Sequence, residues 1–221
     1  MLFDAGGVLV MPDPEVIGKV LDSLDLNSSE EACHRLHFER MSLRDEFSTD
    51  CWDLVDRHLA RHLGLVGEDA DRSVRLFSST FGSHRSVAVP EAVGVLHTLH
   101  VSGMMLGVVS NSDGTLAARL AEDAVCSVDG KFGTPVEFVL DSSVVGLAKP
   151  ETGIFRLAVE YLSDLGVAPQ RCLYVGDTVA NDVVPAAETG LTPVHLDPYR
   201  LCDGPDHGHV TSLPELLTGW T

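Results

Sequence analysis

Apolar and polar positions follow two different rhythms along the chain. Residues 1–3 (Met-Leu-Phe) form a short apolar run stopped by Asp4 and followed by Ala5-Gly6-Gly7, the pattern of a buried strand ending in a tight loop. The run is shorter than the ~5–6 residues of an ordinary strand, so either the strand is clipped or the native start lies upstream. From Pro12 to about Arg85 the apolar positions recur at helical spacing with almost no β-branched runs. This predicts a separate helical unit, with helices near 14–25, 28–41, 50–63 and 68–81. Ser28 and Glu31 form a capping-box pattern for the second helix, and Gly64 and Gly67 supply a stop and a turn.

Beyond Pro90 helices and strands alternate. Helices are expected at 91–100, 115–122, 153–165 and 180–188, and strands at 104–109, 137–140, 172–175 and 192–196. Such alternation implies an α/β fold, a three-layer Rossmann-like core with a mostly parallel sheet, plus the inserted helical unit. The expected division is a core of residues 1–11 and 88–221 with an insertion of 12–87. Ligand chemistry in such sheets gathers at the carboxyl ends of the strands.

Composition narrows the partners. The 221 residues carry 33 acidic and 15 basic side chains, a formal charge of −18, which repels phosphate backbones and anionic lipid headgroups and argues against nucleic-acid and membrane partners. The hydrophobic share of 44% is that of a globular chain. Five cysteines without a Cys-x-x-Cys pair suit a reducing cytoplasm, and no signal peptide is visible.

The residues that follow each predicted strand carry chemistry. Asp4 follows the first, Ser110-Asn111 follows Gly107-Val108-Val109, and Gly176-Asp177 follows Leu173-Tyr174-Val175; Lys149-Pro150 precedes a helix. With Asp182 five residues beyond Asp177, the set offers three carboxylates, an ammonium and a hydroxyl. Hard oxygen donors in that number favour Mg²⁺, and the cation, the lysine and loop N–H groups would receive an anionic phosphoryl group.

This ordered set of motifs resembles the haloacid dehalogenase-like (HAD) hydrolase superfamily, in the subgroup with a helical cap between the first and second motifs. The resemblance rests on Asp4-Ala5-Gly6-Gly7-Val8, Ser110-Asn111, Lys149-Pro150 with Ile154-Phe155, and Gly176-Asp177 through Asn181-Asp182. It implies a covalent mechanism on a small phosphorylated metabolite, with Asp4 as nucleophile and Ser110 and Lys149 on the transferring group. Gly7 and Asn111 join Ser110 and Lys149 in binding the substrate. Mg²⁺ would be held by Asp4, the Gly6 carbonyl and Asp177, supported by Asp182.

One position departs from the family pattern. Phosphatases that resemble this chain carry a second aspartate where Gly6 stands, and it protonates the leaving alcohol. Its absence removes assistance of ~10²–10⁴-fold, about 3–5 kcal/mol of barrier. Three outcomes follow: a leaving group that needs no proton, an acid from the cap, or a member that binds a phosphorylated ligand or protein without turnover. Dehalogenase chemistry also needs no acid, yet the family's dehalogenases dispense with the metal and the carboxylate at Asp177. Phosphonate cleavage needs a cap lysine, and Lys19 is placed too near Asp4 to match.

Other conspicuous side chains read as structural. His58 and His62 stand beside Arg57 and Arg61 on a solvated helix face, without the glutamate of a zinc protease motif. His34 and His37 share one helix, Trp52 and Phe47 are expected to pack within the cap, and His207 and His209 fall in a Gly/Pro/Asp-rich tail expected to be exposed.

Overall fold

The computed structural model describes residues 1–47, 51–81, 85–204 and 206–218. The expected first residue of the third helix, Asp50, lies outside them. The chain divides into two compact units, Met1–Val10 with Ala88–Thr221, and Met11–Val87.

The larger unit is built on a six-stranded sheet. In chain order its strands are β1 (Leu2–Phe3), β4 (Gly107–Ser110), β7 (Phe138–Asp141), β8 (Leu173–Gly176), β9 (Thr192–Leu196) and β10 (Gly208–Val210). The short strands β2 (Val10–Pro12) and β3 (Ser86–Ala88) pair where the chain leaves and re-enters this unit, and β5 (Cys126–Ser127) pairs with β6 (Thr134–Pro135). The sheet order is β10-β9-β8-β1-β4-β7, and its pairings are parallel. From central β1 the chain builds outward through β4 and β7, then crosses back to build β8, β9 and β10 on the other side. The reversal at β1 and β8 is the switch point at which parallel sheets open a crevice.

Period-two alternation explains why the sheet has two covered faces. Leu2, Val109 and Tyr174 point into one apolar layer with Ile154 and Phe155, while Phe3, Val108 and Val175 point into the other with Leu96 and Leu120. The covering helices are α5 (Pro90–Val101), α6 (Leu116–Glu122), α7 (Ser142–Val145), α8 (Gly153–Asp164) and α9 (Val184–Glu188).

The smaller unit contains α1 (Pro14–Ser23), α2 (Glu30–Phe47), α3 (Trp52–His62) and α4 (Gly67–Phe81). Asp13 caps α1, its carboxylate accepting the Glu15 N–H at 2.9 Å, with Pro14 preset for the first turn. Ile17 and Leu21, one turn apart, meet Leu36, Leu59 and Phe77 in its core. The cap of α2 is Ser29 rather than Ser28: its hydroxyl accepts the Ala32 N–H, while Asn27 accepts the Ser29 N–H, shifting the start by one residue. Arg40 is buried against Asp56 at 2.6 and 3.2 Å, with its guanidinium 4.1 Å from the centre of the Trp52 ring and 4.4 Å from that of Phe81. Phe47 packs on the His58 ring at 4.1 Å, and His62 is exposed. Among the described residues no helix is long and apolar enough to cross a membrane.

Candidate active site

Three of the residues expected to carry chemistry stand at or just beyond the carboxyl end of a strand in the larger unit. Asp4 follows β1, Ser110 closes β4, and Asp177 follows β8. Lys149 reaches the same place from the loop before α8. Its backbone is clamped there by Asn111, whose Nδ2 donates to the Lys149 carbonyl and whose Oδ1 accepts the Lys149 N–H, both at 2.8 Å. Asn111 thus positions the lysine. Gly7, expected among the substrate-binding residues, has a φ of 72° that turns the loop, and its N–H donates to the Val10 carbonyl at 2.9 Å.

Asp182 does not open an α-helix at residue 180 as the periodicity predicts. Residues Val179–Val183 form a wider π turn, in which the Val183 N–H reaches back to the Thr178 carbonyl, and α9 starts only at Val184. The cause is local: Asp182 Oδ2 accepts both the N–H and the hydroxyl of Thr178. Gly176 makes the approach possible, since a Cβ there would collide with the Asp182 carboxyl.

The result is a buried charge cluster. One oxygen from each of Asp4, Asp177 and Asp182 lies within 4.8 Å of the others. Lys149 Nζ sits 2.9 Å from Asp4 and donates to Asp182 at 2.6 Å, and these residues and Ser110 are all buried. Burial pushes the Asp4 carboxyl up to about 7; Asp182 and Asp177 add to the rise, while Lys149 and a hydrogen bond from Ser110 hold it down. Burial acts on Asp182 in the same direction but is outweighed by Lys149, Thr178 and Tyr174, which keep it below the usual carboxylate range. Burial opposes the charge of Lys149 as well, yet Asp182 and Asp4 prevail and raise it above the ordinary lysine range. Three carboxylates facing one ammonium leave an excess of negative charge out of water, the donor chemistry of a hard divalent cation. The cluster could therefore hold a divalent metal.

Two members escaped the sequence reading. Tyr174 is buried beneath the cluster, its hydroxyl donating to Asp182 at 2.8 Å and accepting from Lys149 at 3.2 Å. A phenol in the middle of a buried strand needs a polar partner, and that was the available signal. Thr178, which donates its N–H and hydroxyl to Asp182, carried no signal in the sequence beyond its place between Asp177 and Asp182. Gly6 is exposed, and a Cβ there would meet no heavy atom within 4 Å.

Fold and site together define a parallel α/β protein with a buried cluster of charged side chains at its switch point. A family model described as haloacid dehalogenase-like hydrolase matches residues 1–190. The haloacid dehalogenase-like hydrolase domain-containing protein 3 of Xenopus laevis is 28% identical over 201 residues, 87% of this chain and 78% of that protein. The glyceraldehyde 3-phosphate phosphatase of Methanocaldococcus jannaschii is 27% identical over 132 residues, 58% of this chain and 54% of that one. Among solved structures, a HAD phosphatase from Thermococcus onnurineus has a TM-score of 0.57 at 22% identity, covering 98% of this chain and 95% of that chain. A 2-haloacid dehalogenase from Pseudomonas syringae pv. Tomato DC3000 has a TM-score of 0.54 at 22% identity, covering 100% and 98%. The chain belongs to the haloacid dehalogenase-like hydrolase family.

Proposed function

We propose that the protein is a Mg²⁺-dependent phosphatase of small phosphorylated metabolites, with the helical unit serving as its cap and the cytoplasm as its setting. The observation that carries this reading is the buried excess of carboxylates around Lys149: Asp4, Asp177 and Asp182 against one ammonium. Displacement of a halide does not call for three carboxylates buried together, whereas a magnesium ion and a phosphoryl group do. The phosphatase activity for which the Methanocaldococcus relative is named points the same way.

In this mechanism Asp4 attacks phosphorus and the P–O bond to the leaving group breaks, giving an aspartyl-phosphate that water hydrolyses. Mg²⁺, bound by Asp4, Asp177 and the Gly6 carbonyl, would neutralise the phosphoryl oxygens. Lys149 favours the ionised form of Asp4 and offers its ammonium to the transferring group, Ser110 offers its hydroxyl to a phosphoryl oxygen, and Asp182 with Tyr174 fixes the lysine. Because Gly6 provides no proton, substrates whose leaving group departs as a stable anion, such as acyl and aryl phosphates, turn over fastest.

Steady-state assays with Mg²⁺ on aryl, acyl, sugar and nucleotide phosphates test the proposal. Asp4→Asn is expected to lose at least ~10⁴-fold in kcat. Gly6→Asp, for which there is open space, is expected to raise alkyl phosphate turnover by ~10²-fold or more. If neither the native chain nor Gly6→Asp turns over any phosphate, the phosphatase reading fails; halide release without metal would replace it by a dehalogenase.

A further inference from the structure

A second group of ligating side chains lies at the far side of the sheet from β4, and the proposed phosphatase chemistry uses none of it. Parallel pairing of β9 and β10 sets His195 opposite His209, so the register places both imidazoles on one face. The connection between the strands brings in Cys202 and His207. Its shape comes from buried Asp197, whose two carboxylate oxygens accept the N–H groups of Leu201 and Cys202 at 2.9 Å each. His207 and His209, expected as exposed tail residues, instead stack with ring centres 4.4 Å apart.

Hydrogen bonds to carbonyls decide which ring nitrogens are open. His195 Nε2 lies 3.2 Å from the Asp177 carbonyl, which can only accept, so Nε2 carries the proton and Nδ1 presents its lone pair. His209 Nε2 likewise faces the Gly204 carbonyl at 3.0 Å, leaving its lone pair on Nδ1. That nitrogen lies 4.0 Å from Asp197 Oδ2, while His207 Nε2 lies 3.4 Å from His195 Nδ1 and Cys202 Sγ lies 3.8 Å from His207 Nε2. The sulfur also accepts the Gly204 N–H at 3.4 Å. A Cβ on Gly204 would press on both Cys202 and His207.

One donor atom from each of the four residues lies within 4.8 Å of the others. Tetrahedral zinc, with bonds of about 2.0–2.1 Å to nitrogen and about 2.3 Å to sulfur, requires N···N separations of about 3.4 Å and N···S separations of about 3.6 Å. The two donor separations above stand at or close to those values. Three imidazoles and a thiol suit a borderline-soft ion, whereas Mg²⁺ prefers the all-oxygen cluster on the other side of Asp177.

We infer that His195, Cys202, His207 and His209 form a zinc site. Binding converts the Cys202 thiol to thiolate and releases its proton to solvent, so affinity rises with pH. The four protein ligands close the coordination sphere, which makes the site structural. It would tie the segment between β9 and β10 to the sheet, and through the His195 N–H it would brace the backbone of Asp177.

The test uses the full, untagged chain, loaded with Zn²⁺, passed through gel filtration and analysed for metal. About one zinc per chain is expected in the native protein and in Asp177→Asn, falling to under ~0.1 in a Cys202→Ser, His207→Ala double variant whose circular dichroism stays native. With Co²⁺ the native chain should show the intense visible bands of tetrahedral cobalt and a sulfur-to-cobalt charge-transfer band, the latter lost in Cys202→Ser alone. Zinc that washes out of the native chain, or stays in the double variant, overturns the site. Loss of zinc in Asp177→Asn overturns it too, by placing the ion among the carboxylates. None of these outcomes depends on phosphatase activity.

Discussion

Both units of this protein bury charge, and they do so in opposite ways. In the helical unit Arg40 and Asp56 neutralise each other through two hydrogen bonds, with Trp52 and Phe81 on the guanidinium. The charges balance, and the pair is complete as it stands. In the α/β unit one ammonium faces three carboxylates, and burial with the neighbouring acids drives Asp4 up to about 7. A balanced pair holds structure together, whereas an unbalanced acidic cluster leaves room for a cation. Buried charge alone does not mark function; the imbalance does.

Lys149→Met gives the largest effect. It leaves two buried carboxylates without their cation, expected to cost about 3–5 kcal/mol of stability in metal-free urea titrations, and to lower kcat by at least ~10²-fold. Mg²⁺ should stabilise this variant more than the native chain, because the lysine no longer competes for Asp4 and Asp182. An equal magnesium effect in both would show that the ion does not sit in the cluster.

Arg40→Leu is expected to cost about 3–5 kcal/mol by stranding Asp56, with no response to Mg²⁺. The double variant Arg40→Met, Asp56→Leu should recover most of that loss in the same urea titration. Failure to recover would mean that the helical unit needs the charges for more than mutual neutralisation.

The pH dependence is smaller. With a folded pKa of about 7 against an ordinary value of 3.8, Asp4 retains its proton in the folded protein after the unfolded chain has lost it. Its contribution is complete below pH ~4 and is lost as pH rises to ~7, a decline of up to about 4 kcal/mol in metal-free protein. Asp4→Asn should flatten that slope, and saturating Mg²⁺ should reverse it, since the ion binds the ionised form. A slope unchanged in Asp4→Asn would assign it to another group.

Much of this was legible in the chain. The short apolar runs around Leu2-Phe3, Val108-Val109 and Tyr174-Val175, alternating with helices, announced a mostly parallel sheet covered on both faces, and the acids and hydroxyl that end those runs announced the members of the buried charge cluster. Helix periodicity located α1, α3 and α4 to within a few residues. The π turn at Val179–Val183 was not legible, because backbone periodicity gives no sign that Thr178 and Asp182 will bond across it. Nor were the hydrogen bonds of Gly7 and Asn111, whose partners lie 3 and 38 positions away.

By itself, then, the amino-acid order determined the fold class, the helical insertion and the identity of the acidic cluster, since each depends on local periodicity or on residues at strand ends. Tertiary structure alone decided the pairing of Arg40 with Asp56, the seating of Tyr174 beneath Lys149, and the meeting of His195 with Cys202, His207 and His209. Those contacts follow from sheet register and from which chain segments the crossovers bring together, and neither is written in any short stretch of sequence.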